Sequence, residues 1–124
     1  MSNPLALIIE DDIDLANIFT EAVQNADFEV ESIQDGEQAL ARLASIVPAM
    51  VVLDLHLPHV GGEQILKQIR ADSRLARTRI IVATADPVKG DALAEQADLV
   101  LIKPISFGQL RDMAKRLRPA VQSD

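Results

Sequence analysis

The chain has 124 residues, of which 48% are hydrophobic and 25% are charged, a composition typical of one soluble globular domain. Its net charge of −7 argues against a nucleic-acid surface, because neutralising phosphates requires clustered lysine and arginine. The chain has no cysteine, no signal-peptide pattern and no apolar run long enough to span a bilayer, so we expect a cytoplasmic protein without disulfides, thiolate metal sites or membrane contact.

Short apolar runs predict five β-strands along the chain. The third run, MVVL, is apolar without alternation, which is typical of a strand that is buried on both faces of a parallel sheet. Asp54 ends this run, and Pro58, Gly61 and Gly62 beyond it predict a loop rather than a hairpin. The five predicted strands cover residues 5–9, 28–33, 50–53, 80–83 and 99–102.

Apolar residues at helical spacing predict a helix after each strand. The fourth of these is a short helix over residues 91–96, and the fifth opens with a capping box formed by Ser106 and Gln109. The predicted buried stripes of the other helices are Leu15, Ile18, Phe19, Ala22 and Val23; Ala39, Leu40 and Leu43; Ile65, Leu66 and Ile69; and, in the fifth, Leu110, Met113 and Leu117.

The alternation of strands and helices predicts an α/β fold with a doubly wound, five-stranded parallel sheet and helices on both faces. No repeat, low-complexity tract or linker interrupts the pattern, and only the segment RPAVQSD follows Leu117. We therefore expect one domain over residues 1–124, with no output domain in this chain.

Polar residues follow four of the predicted strands, and in a parallel sheet these strand ends meet at one edge. The first strand brings Glu10, Asp11 and Asp12 to this edge, and the later strands bring Asp54, Thr84 and Lys103. Crowded carboxylates repel each other unless a hard cation joins them, and oxygen ligands favour Mg²⁺. A carboxylate nucleophile, a cation, a hydroxyl and an ammonium are the groups needed to bind a transferring phosphoryl group.

In this order, these motifs resemble the receiver domain of bacterial two-component response regulators, which is CheY-like. The match comprises Glu10-Asp11-Asp12, Asp54 with Pro58 and Gly62, Thr84-Ala85, Lys103-Pro104 and the stretch DGEQAL that begins at Asp35, and it extends from about Leu5 to Leu117. The resemblance implies the flavodoxin-like (βα)5 fold with strand order 2-1-3-4-5, in a phosphoprotein that serves signal transduction.

The resemblance also implies a role for each matching residue. Asp54 would accept a phosphoryl group from a sensor histidine kinase or a histidine phosphotransfer protein, and Thr84 and Lys103 would bind the aspartyl phosphate. The Mg²⁺ ligands would be Asp11, Asp54 and the backbone carbonyl of His56, with Glu10 reaching the ion mainly through water. The Lys103-Pro104 bond would be cis. The domain would catalyse only its own phosphorylation and dephosphorylation and would otherwise be no enzyme. Whether it forms a homodimer is left open.

Two departures from the family pattern concern the output of the signal. Val100 occupies a position where the family often has an aromatic residue that reports phosphorylation, and the interval from Thr84 to Lys103 is shorter than is usual. These departures favour the main alternative, a phosphorylation-independent interaction module (a pseudo-receiver). A third hypothesis, a phosphohydrolase of the haloacid-dehalogenase type, needs a second Asp two residues after Asp54, where this chain has His56.

Overall fold

A computed structural model describes residues 3–119 of the chain, in which five strands alternate with five α-helices. None of these helices combines the length and the apolar character that crossing a bilayer needs. The strands are β1 (Leu5–Ile9), β2 (Glu29–Ile33), β3 (Met50–Asp54), β4 (Arg79–Thr84) and β5 (Leu99–Ile102). The helices are α1 (Ile13–Asn25), α2 (Gly36–Leu43), α3 (Gly62–Ala71), α4 (Pro87–Leu93) and α5 (Phe107–Leu117), with a 3-10 helix at Ser73–Leu75.

All neighbouring strands pair in parallel, in the order β2-β1-β3-β4-β5. The predicted doubly wound sheet is therefore confirmed, including the strand order that the family resemblance implied. Because the chain leaves β1 first toward β2 and then returns to β3, β4 and β5 on the other side, the order reverses between β1 and β3. Ligands of open α/β sheets bind at such a reversal, outside the carboxyl ends of the strands.

The core consists of two apolar layers, one on each face of the sheet. Ala6 and Ile8 of β1 belong to the layer that contains α1 and α5, whereas Leu7 and Ile9 belong to the layer that contains α2, α3 and α4. Neighbouring residues of one strand point to opposite faces, so both sets must be apolar when both faces are covered. This explains why the strand sequences are apolar without alternation.

The predicted burial of one residue in the stripe of α1, Ile18, is wrong. Ile18 is 42% exposed, whereas Ala16 is buried together with Phe19. The buried stripe is centred on Phe19, and Ile18 lies about 100° away around the helix, at the margin of the stripe. Helical spacing alone does not separate a margin position from a central one.

The predicted bounds of α4 are also wrong. The helix covers Pro87–Leu93 instead of residues 91–96, and residues 94–96 form a turn. The Asp86 side chain accepts hydrogen bonds from the backbone N–H groups of Val88 and Lys89, and Pro87 occupies the first turn. An acidic N-cap followed by proline marks the start of a helix, and the spacing of apolar residues contains no information about such a cap.

Candidate functional site: the carboxyl edge of the sheet

The sheet brings four of the predicted site residues together at its carboxyl edge. Glu10 follows β1, Asp54 and Thr84 are the last residues of β3 and β4, and Lys103 follows β5. Glu10, Asp54 and Thr84 are buried, and Lys103 is half-buried. Buried charges are rare unless they are paired, so this edge has the character of a site rather than of ordinary surface.

A single ammonium group lies between two carboxylates. Lys103 Nζ donates hydrogen bonds to Glu10 Oε1 at 2.7 Å and to Asp54 Oδ1 at 3.4 Å. Burial alone lowers the pKa of Lys103, but the hydrogen bond to Glu10 and the charge of Asp54 outweigh it and raise that pKa above its usual value. Lys103 therefore stays positive and partly neutralises the two carboxylates.

Glu10 is a buried carboxylate whose ionised form is disfavoured. Its burial raises the pKa of the carboxyl from 4.5 to about 7, against the lowering effect of its hydrogen bond with Lys103, and the charge of Asp54 adds to the rise. One lysine cannot fully compensate two carboxylates that have lost their water. The pair is thus left with excess negative charge, which a bound cation would relieve.

Asp11 completes a group of carboxylates whose geometry suits a metal ion. One oxygen atom from each of Glu10, Asp11 and Asp54 lies within 4.8 Å of the others. Asp12, which was expected in this cluster, is outside it. Its side chain instead accepts a hydrogen bond from Leu15 N at 3.0 Å and caps α1, because the chain turns from strand to helix directly after Asp11.

The Thr84 hydroxyl connects the site to the start of α4. Its Oγ1 accepts a hydrogen bond from the backbone N–H of Asp86 at 3.0 Å, and Asp86 in turn caps α4. Gly90 of α4 packs tightly on the sheet, since a Cβ placed there would lie 2.8 Å from Val100 Cγ1 and 3.2 Å from Thr84 Cγ2. A displacement of Thr84 would therefore disturb α4 both at its N-cap Asp86 and at Gly90.

The loop after Asp54 is held by close backbone packing. His56 N donates to Asp54 Oδ1 at 3.3 Å, and Gly62 N donates to Leu55 O at 3.1 Å. A Cβ on Gly62 would lie 2.7 Å from Leu55 Cα and would overlap the carbonyl oxygen of Asp54. Gly62, which was predicted as a loop residue, is the first residue of α3. The role of the His56 carbonyl as a metal ligand stays a prediction, whereas the cis Lys103-Pro104 bond is confirmed.

A second group of metal-binding residue types lies beside this loop and was not anticipated. Atoms of Asp35, Glu37 and His59 lie within 4.8 Å of one another. Asp35 is already engaged, since it caps α2 through Glu37 N and Gln38 N and pairs with His59 Nδ1. The backbone hydrogen bond from Gln38 and the contact with His59 lower the pKa of Asp35. This group joins α2 to the loop that follows Asp54.

Comparison with known proteins identifies the relatives of this chain. The family model described as "Response regulator receiver domain" matches residues 6–115. The probable methanogenesis regulatory protein FilR2 of Methanothrix harundinacea is 30% identical over 92% of this chain and 81% of its own length. The phosphate regulon transcriptional regulatory protein PhoB of Rhizobium meliloti is 31% identical over 97% of this chain, but the chain spans only 56% of PhoB. The chain spans 43% of TrcR of Mycobacterium tuberculosis.

Solved structures show the same architecture. The chemotaxis response regulator CheY4 of Vibrio cholerae superposes with a TM-score of 0.82 at 25% identity, covering 94% of this chain and 99% of CheY4. The Mn²⁺-bound form of the response regulator Rcp1 superposes with a TM-score of 0.76 at 25% identity, covering 92% of this chain and 91% of Rcp1. With the family model matched over most of its length, this chain belongs to the response regulator receiver domains of two-component signalling.

Proposed function

We propose that this receiver domain accepts a phosphoryl group on Asp54, from a sensor histidine kinase or a histidine phosphotransfer protein, and signals through protein–protein contact. The observation that carries the proposal is the environment of Asp54. Its carboxylate is buried at a strand end, within 3.4 Å of Lys103 Nζ and among the oxygen atoms of Glu10 and Asp11. A nucleophile, an ammonium and a place for a cation thus converge on one point.

The two oxygen atoms of Asp54 have different surroundings. Within residues 3–119, the hydrogen bonds from Lys103 and His56 both go to Oδ1. Oδ2 is thereby left as the nucleophile in the proposed step. It forms a bond to phosphorus while the P–N bond to the donor histidine breaks, and the imidazole nitrogen leaves with the electron pair. The product is an aspartyl phosphate on Asp54.

The residues present suit Mg²⁺, because three carboxylates offer hard oxygen ligands and their excess negative charge is only partly compensated. Glu10, Asp11, Asp54 and the carbonyl of His56 would hold the ion. Bound Mg²⁺ neutralises charge on the transferring phosphoryl oxygens. Lys103 contributes a second positive charge at the same place, and the Thr84 hydroxyl donates a hydrogen bond to a phosphoryl oxygen.

The proposal extends to the output through α4. Thr84 cannot reorient toward a phosphoryl oxygen without disturbing the hydrogen bond from Asp86, which caps this seven-residue helix. Val100 is β-branched and too small to act as a rotating reporter, so we propose a change in the order of α4. Hydrogen exchange of α4 with and without beryllofluoride tests this step, and unchanged exchange would contradict it.

The phosphorylation step is tested by intact mass after incubation with Mg²⁺ and acetyl phosphate. We expect the gain of one phosphoryl group, which is lost in Asp54→Asn and retained in Asp12→Asn, the matched change of a neighbouring carboxylate outside the cluster. A thermal melt checks that both variants are folded. Absence of labelling, together with no response to beryllofluoride, would favour a phosphorylation-independent interaction module.

A further inference from the structure

A cavity of about 840 Å³ opens at the amino edge of the sheet, opposite the site described above. Leu5 at the start of β1, Ala49 before β3 and Arg79 at the start of β4 contribute to its wall, together with the end of α5. Its lining also includes apolar residues, among them Val47 and Pro48. The volume falls in the range of small-molecule sites, about 300–1,000 Å³.

The charged residues around this cavity are almost all basic. Five of the twelve lysine and arginine residues of the chain line it, accompanied by a single carboxylate, Asp98. In a chain with a net charge of −7, this edge is therefore a local concentration of positive charge. The five residues, which we call the arginine rim, are Arg70, Arg77, Arg79, Arg116 and Arg118.

Two members of the arginine rim have a structural task. Arg70 donates to Gln96 O at 2.7 Å, to Thr78 O at 3.0 Å and to Asp98 Oδ2 at 3.0 Å, which ties α3 to the segments before β4 and β5. Arg79 donates to Asp98 Oδ1 at 3.0 Å. The Asp98 carboxylate is thus paired with two guanidinium groups, and its charge does not compensate those of the other three arginines.

The other three members retain donors that nothing in residues 3–119 accepts. Arg77 and Arg116 are exposed and make no hydrogen bond or ion pair with those residues. Arg118 uses only Nε, which donates to the carbonyl oxygen of Asp27 at 3.0 Å. Three guanidinium groups of the cavity lining therefore have no counter-charge in the described part of the chain.

We propose that this cavity binds a small organic anion that carries at least two phosphate or carboxylate charges. Guanidinium groups present paired donors that match phosphate and carboxylate oxygens, and several such groups around one opening favour a multiply charged ligand. The apolar lining residues, among them Leu5 and Pro48, would contact the carbon skeleton of such a ligand. The site is separate from Asp54 and is independent of the phosphorylation proposed above.

Calorimetric titration with pyrophosphate and with citrate tests the proposal, in buffer with EDTA so that no divalent metal links either anion to the carboxyl edge. We expect at least one of them to bind with a Kd below about 1 mM. The double variant Arg77→Gln/Arg116→Gln should weaken this binding at least tenfold. The matched control is Lys67→Gln/Arg111→Gln, which removes two basic groups outside the cavity and should bind as the unmodified protein does.

Two results would overturn the proposal. One is the absence of binding for both anions. The other is an equal loss of affinity in the control variant, which would indicate non-specific electrostatic attraction instead of a defined site. Amide chemical shifts give the location. We expect shifts at Thr78, Arg79 and Arg118, whereas shifts confined to Thr84 and Lys103 would place the anion at the opposite edge and contradict the assignment.

Discussion

At the carboxyl edge of the sheet one ammonium group, Lys103, lies between the carboxylates of Glu10 and Asp54, whereas at the amino edge one carboxylate, Asp98, lies between the guanidinium groups of Arg70 and Arg79. The two arrangements are alike except for the sign of the charges. They differ in burial, since the Glu10 and Asp54 side chains are only 2% and 4% exposed and Asp98 is 19% exposed.

The difference in burial changes the protonation of the carboxylates. Burial raises the pKa of Glu10 to about 7. Burial also acts to raise the pKa of Asp98, but the hydrogen bond from Ile80 N and the bonds from Arg79 and Arg70 outweigh it and lower that pKa below its usual value. Asp98 therefore has a stabilising role as an anion, whereas Glu10 lies in a site whose negative charge is only partly compensated by Lys103.

The ion cluster at the amino edge has a structural role, whereas the cluster at the carboxyl edge is the proposed phosphorylation site. At the amino edge, the cluster ties β4 to the segment before β5 through the Asp98–Ile80 contact, and its positive surplus lies on the exposed rim. At the carboxyl edge the surplus negative charge is buried, where only a cation or a proton can compensate it. Substitutions at the two edges test this difference.

The largest effect is expected for Gly62→Ala at the carboxyl edge. The new Cβ would overlap the backbone of Asp54 and Leu55, and backbone cannot yield as a flexible side chain does. We expect a loss of about 3 kcal/mol or more in the free energy of unfolding, measured by urea denaturation. Gly61→Ala is the control, because a Cβ there has its nearest such neighbour, Leu55 O, at 4.0 Å. Equal stability of the two variants would contradict the close packing.

The same change from carboxylate to amide should have opposite outcomes at the two edges. Asp98→Asn removes a charge that holds two arginines, so we expect a loss of about 2 kcal/mol in unfolding free energy at pH 8. Glu10→Gln removes part of the uncompensated charge, so we expect a change within about 0.5 kcal/mol or a gain. Urea denaturation without metal measures both. A marked loss of unfolding free energy in Glu10→Gln would show that the Glu10 charge stabilises the fold as the Asp98 charge does.

The pH dependence of stability should reveal the raised pKa of Glu10. The pKa of Glu10 is near 4.5 in the unfolded chain and about 7 in the folded chain. At pH values between these two, folded Glu10 retains a proton that unfolded Glu10 has released. Stability from this group is therefore fully present below about pH 4.5 and is lost as the pH rises through 7. Because the hydrogen bond from Lys103 stabilises the ionised form of Glu10, we expect a net loss of only about 1 kcal/mol in unfolding free energy between pH 5 and 8.

The measurement compares the unmodified protein with Glu10→Gln by urea denaturation in EDTA across this pH range. Subtracting the two profiles removes the contributions of the other titrating groups. The unfolding free energy of the unmodified protein minus that of Glu10→Gln should decline with rising pH. A difference that is flat or rises with pH would show that Glu10 is ionised throughout.

The smallest effect is expected for Asp11→Asn, which removes an exposed charge from the carboxylate group. Without metal, relief of repulsion should raise the unfolding free energy by about 0.5 kcal/mol. With Mg²⁺ the variant should gain less stability than the unmodified protein, because one ligand has lost its charge. Thermal melts with EDTA and with Mg²⁺ measure both effects. Marked destabilisation in EDTA would contradict the repulsion.

The carboxyl edge was predictable from the sequence because each of its residues directly follows an apolar run. Once five strands are recognised as parallel, their ends must meet, and Glu10, Asp54, Thr84 and Lys103 come together without further information. Asp12 was misplaced because one residue decides whether a side chain faces the site or caps the next helix.

The amino edge was not predictable by the same reasoning. The arginine rim draws on residues from the end of α3, the approach to β4 and the end of α5, and no sequence spacing connects Arg70 with Arg116 or Arg118. The contact of Asp98 with Ile80 N depends on how far the segment before β5 reaches along β4. Such contacts follow from three-dimensional register, which a single sequence does not contain.

The most direct test of the role assigned to the carboxyl edge is the chemical identity of the phosphorylated residue. The protein would be treated with Mg²⁺ and acetyl phosphate, reduced with borohydride, which converts an aspartyl phosphate to homoserine, and sequenced by peptide mass spectrometry. We predict homoserine at position 54 alone. Homoserine at Asp11 or Asp12, or none at any position under conditions that label another receiver domain, would contradict the assignment of Asp54.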